Sequence, residues 1–386
     1  MKKIYLDYAA TTPVDPRVLK AMAPYFDRDF GNASSLYSMG QQARIAIENS
    51  RKRMSKIINA EPDEIVFTSG GTESDNLALA GIAFANKDKG NHIITSKVEH
   101  KAIIETCEFL EKQGFKITYL DVDKYGFIDP EQLRKSIKKE TILVSIMHAN
   151  NEIGTLEPVE EIGRICRKND VYFHTDAVQS FCKIPIDVKK MGIDLLSASS
   201  HKIYGPKGVG LLYVRKGVKL EALLHGGGHE SGRRSGTENV AGIVGFAKAA
   251  EIANAEMKKE GERLAKMRKR LVKGLLKVSN SHLNGHPEKR LPGNINLRFD
   301  FIEGEALILK LDMLGIEAST GSACSSRDLK ASHVLTSLGL SPKQAHGSLR
   351  ITIGRFTKDK DIDYVIKNVP KVVKELRDLS PFKDKW

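Results

Sequence analysis

The sequence predicts an α/β protein: a large domain on a mainly parallel seven-stranded sheet, with a smaller α+β domain beside it. Three observations carry this. From about residue 60 to 215, short apolar β-rich runs alternate with helical stretches, and the runs are continuously apolar, as strands covered on both faces require. After about residue 255 the alternation stops. The length of 386 residues exceeds one ordinary domain.

In chain order, the expected strands are Glu64–Phe67, His92–Thr95, Lys116–Leu120, Ile142–Met147, Val171–Thr175, Asp194–Ala198 and Gly208–Val214. A helix is expected from Asp75 to Phe84. Beyond 255 a long basic helix leads to Pro292-Gly293-Asn294-Ile295-Asn296-Leu297-Arg298. A helix from Gly304, a Gly/Ser/Cys loop and a strand Ser348–Ile353 follow. The large domain is therefore expected over 14–256. The opening 1–13 is too short to fold alone and is assigned with 257–386 to the small domain, which carries the cysteine loop. Ligands of parallel sheets gather outside the carboxyl ends of the strands.

The composition, 41% hydrophobic and 28% charged, is that of a soluble globular chain. No apolar stretch is long enough for a membrane span, and the start, Met1-Lys2-Lys3-Ile4-Tyr5-Leu6-Asp7, turns acidic too early for a signal peptide. A cytoplasmic location is expected. The net charge of +13 sits largely in Met257–Lys277 and after Lys358. Leu264, Met267, Leu271 and Leu275 recur at helical spacing, so the intervening Lys and Arg read as a solvated face. With no nucleic-acid-binding signature beside it, direct nucleic-acid binding is not expected. Cys107, Cys166, Cys182 and Cys324 are scattered and unpaired in sequence, against a disulfide framework or a structural zinc site. The first three fall in segments that read as helix or strand.

The chemistry centres on Lys202, in Ser197-Ala198-Ser199-Ser200-His201-Lys202-Ile203-Tyr204-Gly205-Pro206. A strand end, then His-Lys, then a Gly-Pro turn, puts an amine at the mouth of a sheet. A buried amine loses its proton more easily and becomes a nucleophile for carbonyl carbon. Asp176 ends the strand before it, with Gln179 close behind. An aldehyde-binding lysine plus a strand-end carboxylate facing a pyridinium nitrogen is the minimal protein contribution to pyridoxal phosphate (PLP) chemistry. A strand-end Asp also serves as a helix cap.

Thr68-Ser69-Gly70-Gly71-Thr72-Glu73-Ser74 joins a strand to a helix, as a phosphate cradle would, with the Thr72 hydroxyl as donor; a capped tight turn is the simpler alternative. His100 follows the next strand, where a titratable aromatic ring could stack on a flat cofactor or simply hydrogen-bond in a loop. Asn150-Asn151 closes another strand; of the two, Asn150 fits Asx-turn chemistry better. Gly226–Asn239 is a glycine-rich loop with Arg and Thr, shaped for close approach, such as to a partner subunit's cofactor phosphate. Cys324 lies among small residues in Ser319-Thr320-Gly321-Ser322-Ala323-Cys324-Ser325-Ser326 and reads as a reactive thiol; at a pKa of about 8.5 it needs a positive neighbour to ionise. Arg350 begins a strand with a fork that matches an amino-acid carboxylate, whereas Arg355 reads as structural.

Together these motifs resemble the cysteine desulfurases of the NifS/IscS-like group, PLP enzymes of the aspartate aminotransferase fold. The resemblance runs from Tyr5-Leu6-Asp7-Tyr8-Ala9-Ala10-Thr11-Thr12 through Gly31-Asn32-Ala33-Ser34-Ser35 to Gly354-Arg355-Phe356-Thr357. It implies that Lys202 attaches PLP and shuttles the substrate Cα proton, that His100 stacks on the ring and aids proton transfer, and that Asp176 pairs with the ring nitrogen. Asn151 and Gln179 would address the ring oxygen or the substrate. Gly71, Thr72, Ser199 and His201 would bind the phosphate, with Thr237 arriving from the second subunit of a homodimer. Arg350, aided by Asn151, would hold the carboxylate of L-cysteine. Cys324 would take the sulfur as a persulfide, leaving alanine, and pass it to an iron–sulfur scaffold protein or a tRNA-thiolation enzyme. No resident metal is expected, although Cys324 could ligate an iron–sulfur cluster transiently during transfer. The alternatives are a selenocysteine lyase or another PLP enzyme of this fold, such as an aminotransferase.

Overall fold

A computed structural model describes residues 3–321 and 331–380. Its strands are β1 (Ile4–Tyr5), β2 (Ile65–Thr68), β3 (His92–Ser96), β4 (Lys116–Leu120), β5 (Thr141–Ser145), β6 (Tyr172–Asp176), β7 (Leu195–Ser199), β8 (Gly210–Val214), β9 (Ser281–Leu283), β10 (Asn294–Phe299), β11 (Ile316–Glu317) and β12 (Ser348–Thr352). The main sheet has the order β2-β8-β7-β6-β5-β3-β4. Strand β8 runs antiparallel to both its neighbours, and the other pairings are parallel. The expected mainly parallel seven-stranded sheet is thus present.

The continuous apolar runs are explained by burial on both faces. Ile94, Val144, Phe173, Leu196 and Leu211 belong to the cluster on one side. Their sequence neighbours Ile93, Leu143, Leu195 and Leu212 belong to the cluster on the other. Successive strand residues point to opposite faces, so a two-sided core leaves no room for polar alternation.

A further core joins β10, β12, the helix Gly304–Asp312 and the helix Asp359–Leu379, through Ile295, Leu297, Leu307, Leu311, Leu349, Ile351 and Val365. Ile4 and Leu6 pack into it, and β1 pairs in parallel with β11. The helix Val240–Leu275 buries Ala250 and Ala253 in the sheet-side cluster, then Met267, Leu271 and Leu275 in the other. Its basic stretch is only partly a wet face. Arg268 is buried and donates to the Leu291 carbonyl at 2.8 Å. Arg263 donates to the carbonyls of Thr357 and Gly354, both at 2.9 Å, and Arg270 pairs with Asp359 and Asp363. Arg263 and Arg270 thus fasten the helix to the segment that follows β12, and Arg268 fastens it to the segment that leads into β10.

Two local expectations change. The helix after β2 starts at Gly71, not Asp75, so Thr72 lies in its first turn. Cys182 lies in a turn with φ of +54°, not in a regular element; Cys107 and Cys166 sit in helices as expected. Among the described residues, no helix is long and apolar enough to cross a membrane.

Candidate active site

A cavity of about 310 Å³ opens at the carboxyl ends of the central strands. Gly71, Thr72, His100, Asn151, Asp176, Gln179, Ser199, His201, Lys202 and Arg350, read from the sequence as site residues, all line it. Thr237 does not. It lines a separate cavity of about 110 Å³ with Ser69, Glu230 and Arg234. Cys324 lies outside the described residues.

Lys202 ends a short 3₁₀ turn directly after β7. Its Nζ donates to the carbonyls of Ala9 at 2.6 Å and Ala10 at 2.8 Å. Residues almost two hundred positions upstream therefore set where the amine stands. Gln179 Nε2 donates to the same Ala9 carbonyl at 3.0 Å.

Asp176 is the last residue of β6 and is 6% exposed. Its Oδ1 accepts from Val178 N–H at 2.8 Å, so the capping role is also real. Burial pushes its carboxyl above the usual range, and the nearby His100 and Lys202 pull it back. A buried carboxylate in such a wall calls for a cation, and the pyridinium nitrogen of PLP is one.

His100 caps the helix Lys101–Lys112, its Nδ1 accepting from Ala102 N–H at 3.1 Å. In the neutral ring the proton therefore sits on Nε2. Burial holds the imidazole below its usual pKa, against the opposing pull of Asp176. A neutral ring suits stacking on a flat cofactor.

Asn150 and Asn151 divide their work as the Asx-turn argument anticipated. Asn150 Oδ1 accepts from the N–H groups of Glu152 at 2.8 Å and Ile153 at 2.9 Å, while its Nδ2 donates to Val98 O. That turn presents Asn151 to the cavity.

Gly71, Thr72, Ser199 and His201, expected as an anion cradle, stand together in the wall of this cavity. Gly71 and Thr72 open the helix Gly71–Ala85, whose first turn offers free N–H groups and the positive dipole end. A Cβ on Gly71 would meet Val178 Cγ2 at 2.7 Å, so the backbone approaches where a side chain could not. His201 Nδ1 lies 3.1 Å from Thr11 Oγ1, and burial pushes its imidazole down to about 4. Together with Asp176 and the Lys202 amine, this donor set fits PLP at both ends of the cofactor.

Arg350 is 2% exposed on β12. Its Nη1 donates to the carbonyls of Asn151 at 3.1 Å and Gly321 at 2.7 Å, and its Nη2 to Asp7 Oδ1 at 2.8 Å. Arg355 is structural, as read: it pairs with Asp15 at 2.6 Å and Glu256 at 3.0 Å and lies over the Tyr204 ring.

The site holds further residues to which the sequence motifs assign no role. Asp75 and Glu99 add two buried carboxyls to the cavity wall, and His333 adds an imidazole within 2.9 Å of the Glu99 carbonyl. Asp7 reaches the site through Arg350. Only proximity in sequence, Glu99 beside His100 and Asp75 beside the glycine turn, carried a signal for any of them.

A class-V aminotransferase family model matches residues 4–365. A protein named cysteine desulfurase IscS from Methanosarcina thermophila is 55% identical over 384 residues, covering 100% of this chain and 95% of that protein. One of the same name from Dictyoglomus turgidum is 53% identical over 386 residues, covering 100% and 98%. Among solved structures, a NifS-like protein superposes with a TM-score of 0.92 at 39% identity, covering 97% of this chain and 100% of that one. A structure of SspA in complex with cysteine gives 0.83 at 39% identity, covering 92% and 100%. The family model and the two IscS relatives span the three cores and every segment of the cavity wall. The chain belongs to the class-V aminotransferase family, among the NifS/IscS-like cysteine desulfurases.

Proposed function

We propose that this protein removes sulfur from L-cysteine in a PLP-dependent reaction, giving L-alanine and a persulfide on Cys324. The observation that carries the reading is one cavity that joins an amine, a buried carboxylate, a neutral imidazole and a buried guanidinium at the start of the segment leading to Cys324.

When bound, PLP supplies an electron sink for the charge left at the substrate Cα. Lys202 would attach it, Asp176 would face its ring nitrogen, and Gly71, Thr72, Ser199 and His201 would hold its phosphate. The protein's own groups then do the following work. Lys202 Nζ, held by two backbone carbonyls, is the amine that takes the Cα proton and returns it. His100 Nε2 holds a second proton at the cavity wall. Arg350 holds the substrate carboxylate, with Asn151 beside it. The Cys324 thiolate attacks the substrate sulfur, the Cβ–S bond breaks with its electron pair going to carbon, and protonation there yields alanine.

The homodimer belongs to this reading. Thr237 stands in a cavity apart from its own chain's site, as a residue destined for a partner's phosphate would. Phe26, Phe30, Leu36 and Tyr37 are exposed in one short segment, an apolar surface suited to a second copy. The persulfide sulfur would pass to iron–sulfur cluster assembly, to tRNA thiolation, or to both. Cys107, Cys166 and Cys182 are buried free thiols, which accords with a reducing cytoplasm.

The test is mass spectrometry of the holoenzyme after L-cysteine, with an alanine assay and Cys324→Ser alongside. Added sulfur on Cys324, with both sulfur and alanine lost in the variant, is expected. Alanine from both proteins with no persulfide would favour another PLP activity.

A further inference from the structure

We propose that Asp7 acts on the substrate through Arg350, as a fixed counter-charge that weakens carboxylate binding so that product can leave. This rests on the reading that Arg350 holds the substrate carboxylate.

A guanidinium has five N–H donors in a rigid plane. Arg350 spends three in the described structure: two on the carbonyls of Asn151 and Gly321, one on Asp7 Oδ1. Arg350 Nε is buried and has no partner among the described residues. Donors therefore remain for an incoming carboxylate, on Nε and Nη2. Backbone pairing also holds the residue: Arg350 N–H donates to Ser319 O at 2.6 Å, and Arg350 faces Asn296 in the β10–β12 register.

Orientation and charge are separable here. The two carbonyl bonds to Nη1 already fix the plane of the guanidinium without Asp7. Asp7 adds negative charge: at 2.8 Å from Nη2, with its side chain only 17% exposed, it neutralises the cation before substrate arrives. A substrate carboxylate on the same guanidinium must approach that charge. At about 6 Å and an effective dielectric near 20, two carboxylates repel by an amount equal to roughly a hundredfold in affinity, and partial screening leaves about tenfold. Asp7 comes from the segment just before Ala9 and Ala10, whose carbonyls hold Lys202. One stretch of chain thus adjusts both the amine and the carboxylate receptor.

The experiment uses the holoenzyme with Asp7→Asn, which keeps an oxygen to accept from Nη2 and removes only the charge. Asp7→Ser is a second neutral variant in case the first folds poorly. L-Alanine binding is titrated by calorimetry, and turnover is measured with L-cysteine and with L-cysteine methyl ester. The expected result is about tenfold tighter L-alanine binding and a KM for L-cysteine lower by a similar factor. The kcat falls as release becomes slow, and the ester is unaffected. Unchanged or weaker L-alanine binding would overturn the proposal, as would equal tightening for acid and ester. Arg350→Gln separates the two readings: if it leaves the discrimination between L-cysteine and its ester unchanged, Arg350 does not hold the carboxylate, and the underlying assignment fails first.

Discussion

Glu230→Gln should destabilise the protein by about 3 kcal/mol, because it removes the buried counter-charge of Arg51. Arg51 forks into Glu230, with Nη1–Oε2 at 2.7 Å and Nη2–Oε1 at 2.8 Å, and both side chains are nearly closed to water at 11% and 3% exposure. Glu230 Oε2 also accepts from Phe67 N–H at 2.8 Å, and Arg51 donates to Ile65 O at 2.6 Å. The cluster therefore ties β2, the strand that leads into the Gly70-Gly71 turn, to the loop that carries Thr237. It also maintains two non-glycine residues in the left-handed region, Glu230 at φ +51° and Ser231 at φ +57°, each costing about 1 kcal/mol. An amide keeps the shape but removes the buried counter-charge, leaving the guanidinium only the half-exposed Glu48, 3.2 Å from its Nε. For a chain of this length the unfolding entropy is about 0.8 kcal/mol per kelvin, so the loss corresponds to about 4 °C in Tm. Thermal and urea unfolding of the cofactor-free protein, at fixed pH and concentration, would measure it. The double variant Arg51→Met/Glu230→Met should recover most of the loss, since neither residue then buries a charge. A Glu230→Gln protein within about 0.5 kcal/mol of the parent, or a double variant as unstable as the single, would refute the reasoning.

Three other outcomes are expected. Lys202→Ala should abolish borohydride-fixed cofactor on the chain, read by intact mass; retention of a fixed adduct elsewhere would displace Lys202 from its role. Gly71→Ala should weaken cofactor retention about tenfold and lower the Tm of the cofactor-free protein by about 1–4 °C, because its new Cβ meets Val178 Cγ2 at 2.7 Å; equal retention on dialysis would count against the cradle. Glu99 has its carboxyl raised to about 8 by burial, against an unfolded value of about 4.3. A raised acid binds its proton in the folded state, so wild-type stability should fall as pH rises from about 4.3 through about 8. Glu99→Gln should remove that slope, gaining about 4 kcal/mol on the parent between pH 5 and pH 9; parallel unfolding curves at the two pH values would contradict it.

Much of the fold and most of the site were legible because both are written in local patterns. Continuous apolar runs such as Ile142–Val144 and Leu195–Leu196 announce strands covered on two faces, and each predicted sheet strand overlaps an observed one. The strand-end positions of Asp176 and Lys202 followed from the same runs, since a parallel sheet delivers the residues after its strands to one edge. Asn150 was separable from Asn151 because an Asx turn is a bond between near neighbours.

What the amino-acid order determined alone was therefore the succession of elements, the edge at which ligands gather and the identity of the groups delivered there. What tertiary structure decided was which distant groups meet. The carbonyls of Ala9 and Ala10 hold Lys202, Asp7 pairs with Arg350, and Arg51 pairs with Glu230, across separations of 193, 192, 343 and 179 residues. Backbone carbonyls carry no residue-specific signal, and a carboxylate or guanidinium on the surface of a sequence looks the same whether its partner is water or a buried ion. Burial distinguishes them, and burial depends on how all the elements pack. The same reason explains why Arg268 reads as a solvated residue of an amphipathic helix yet is closed between that helix and the Leu291 carbonyl.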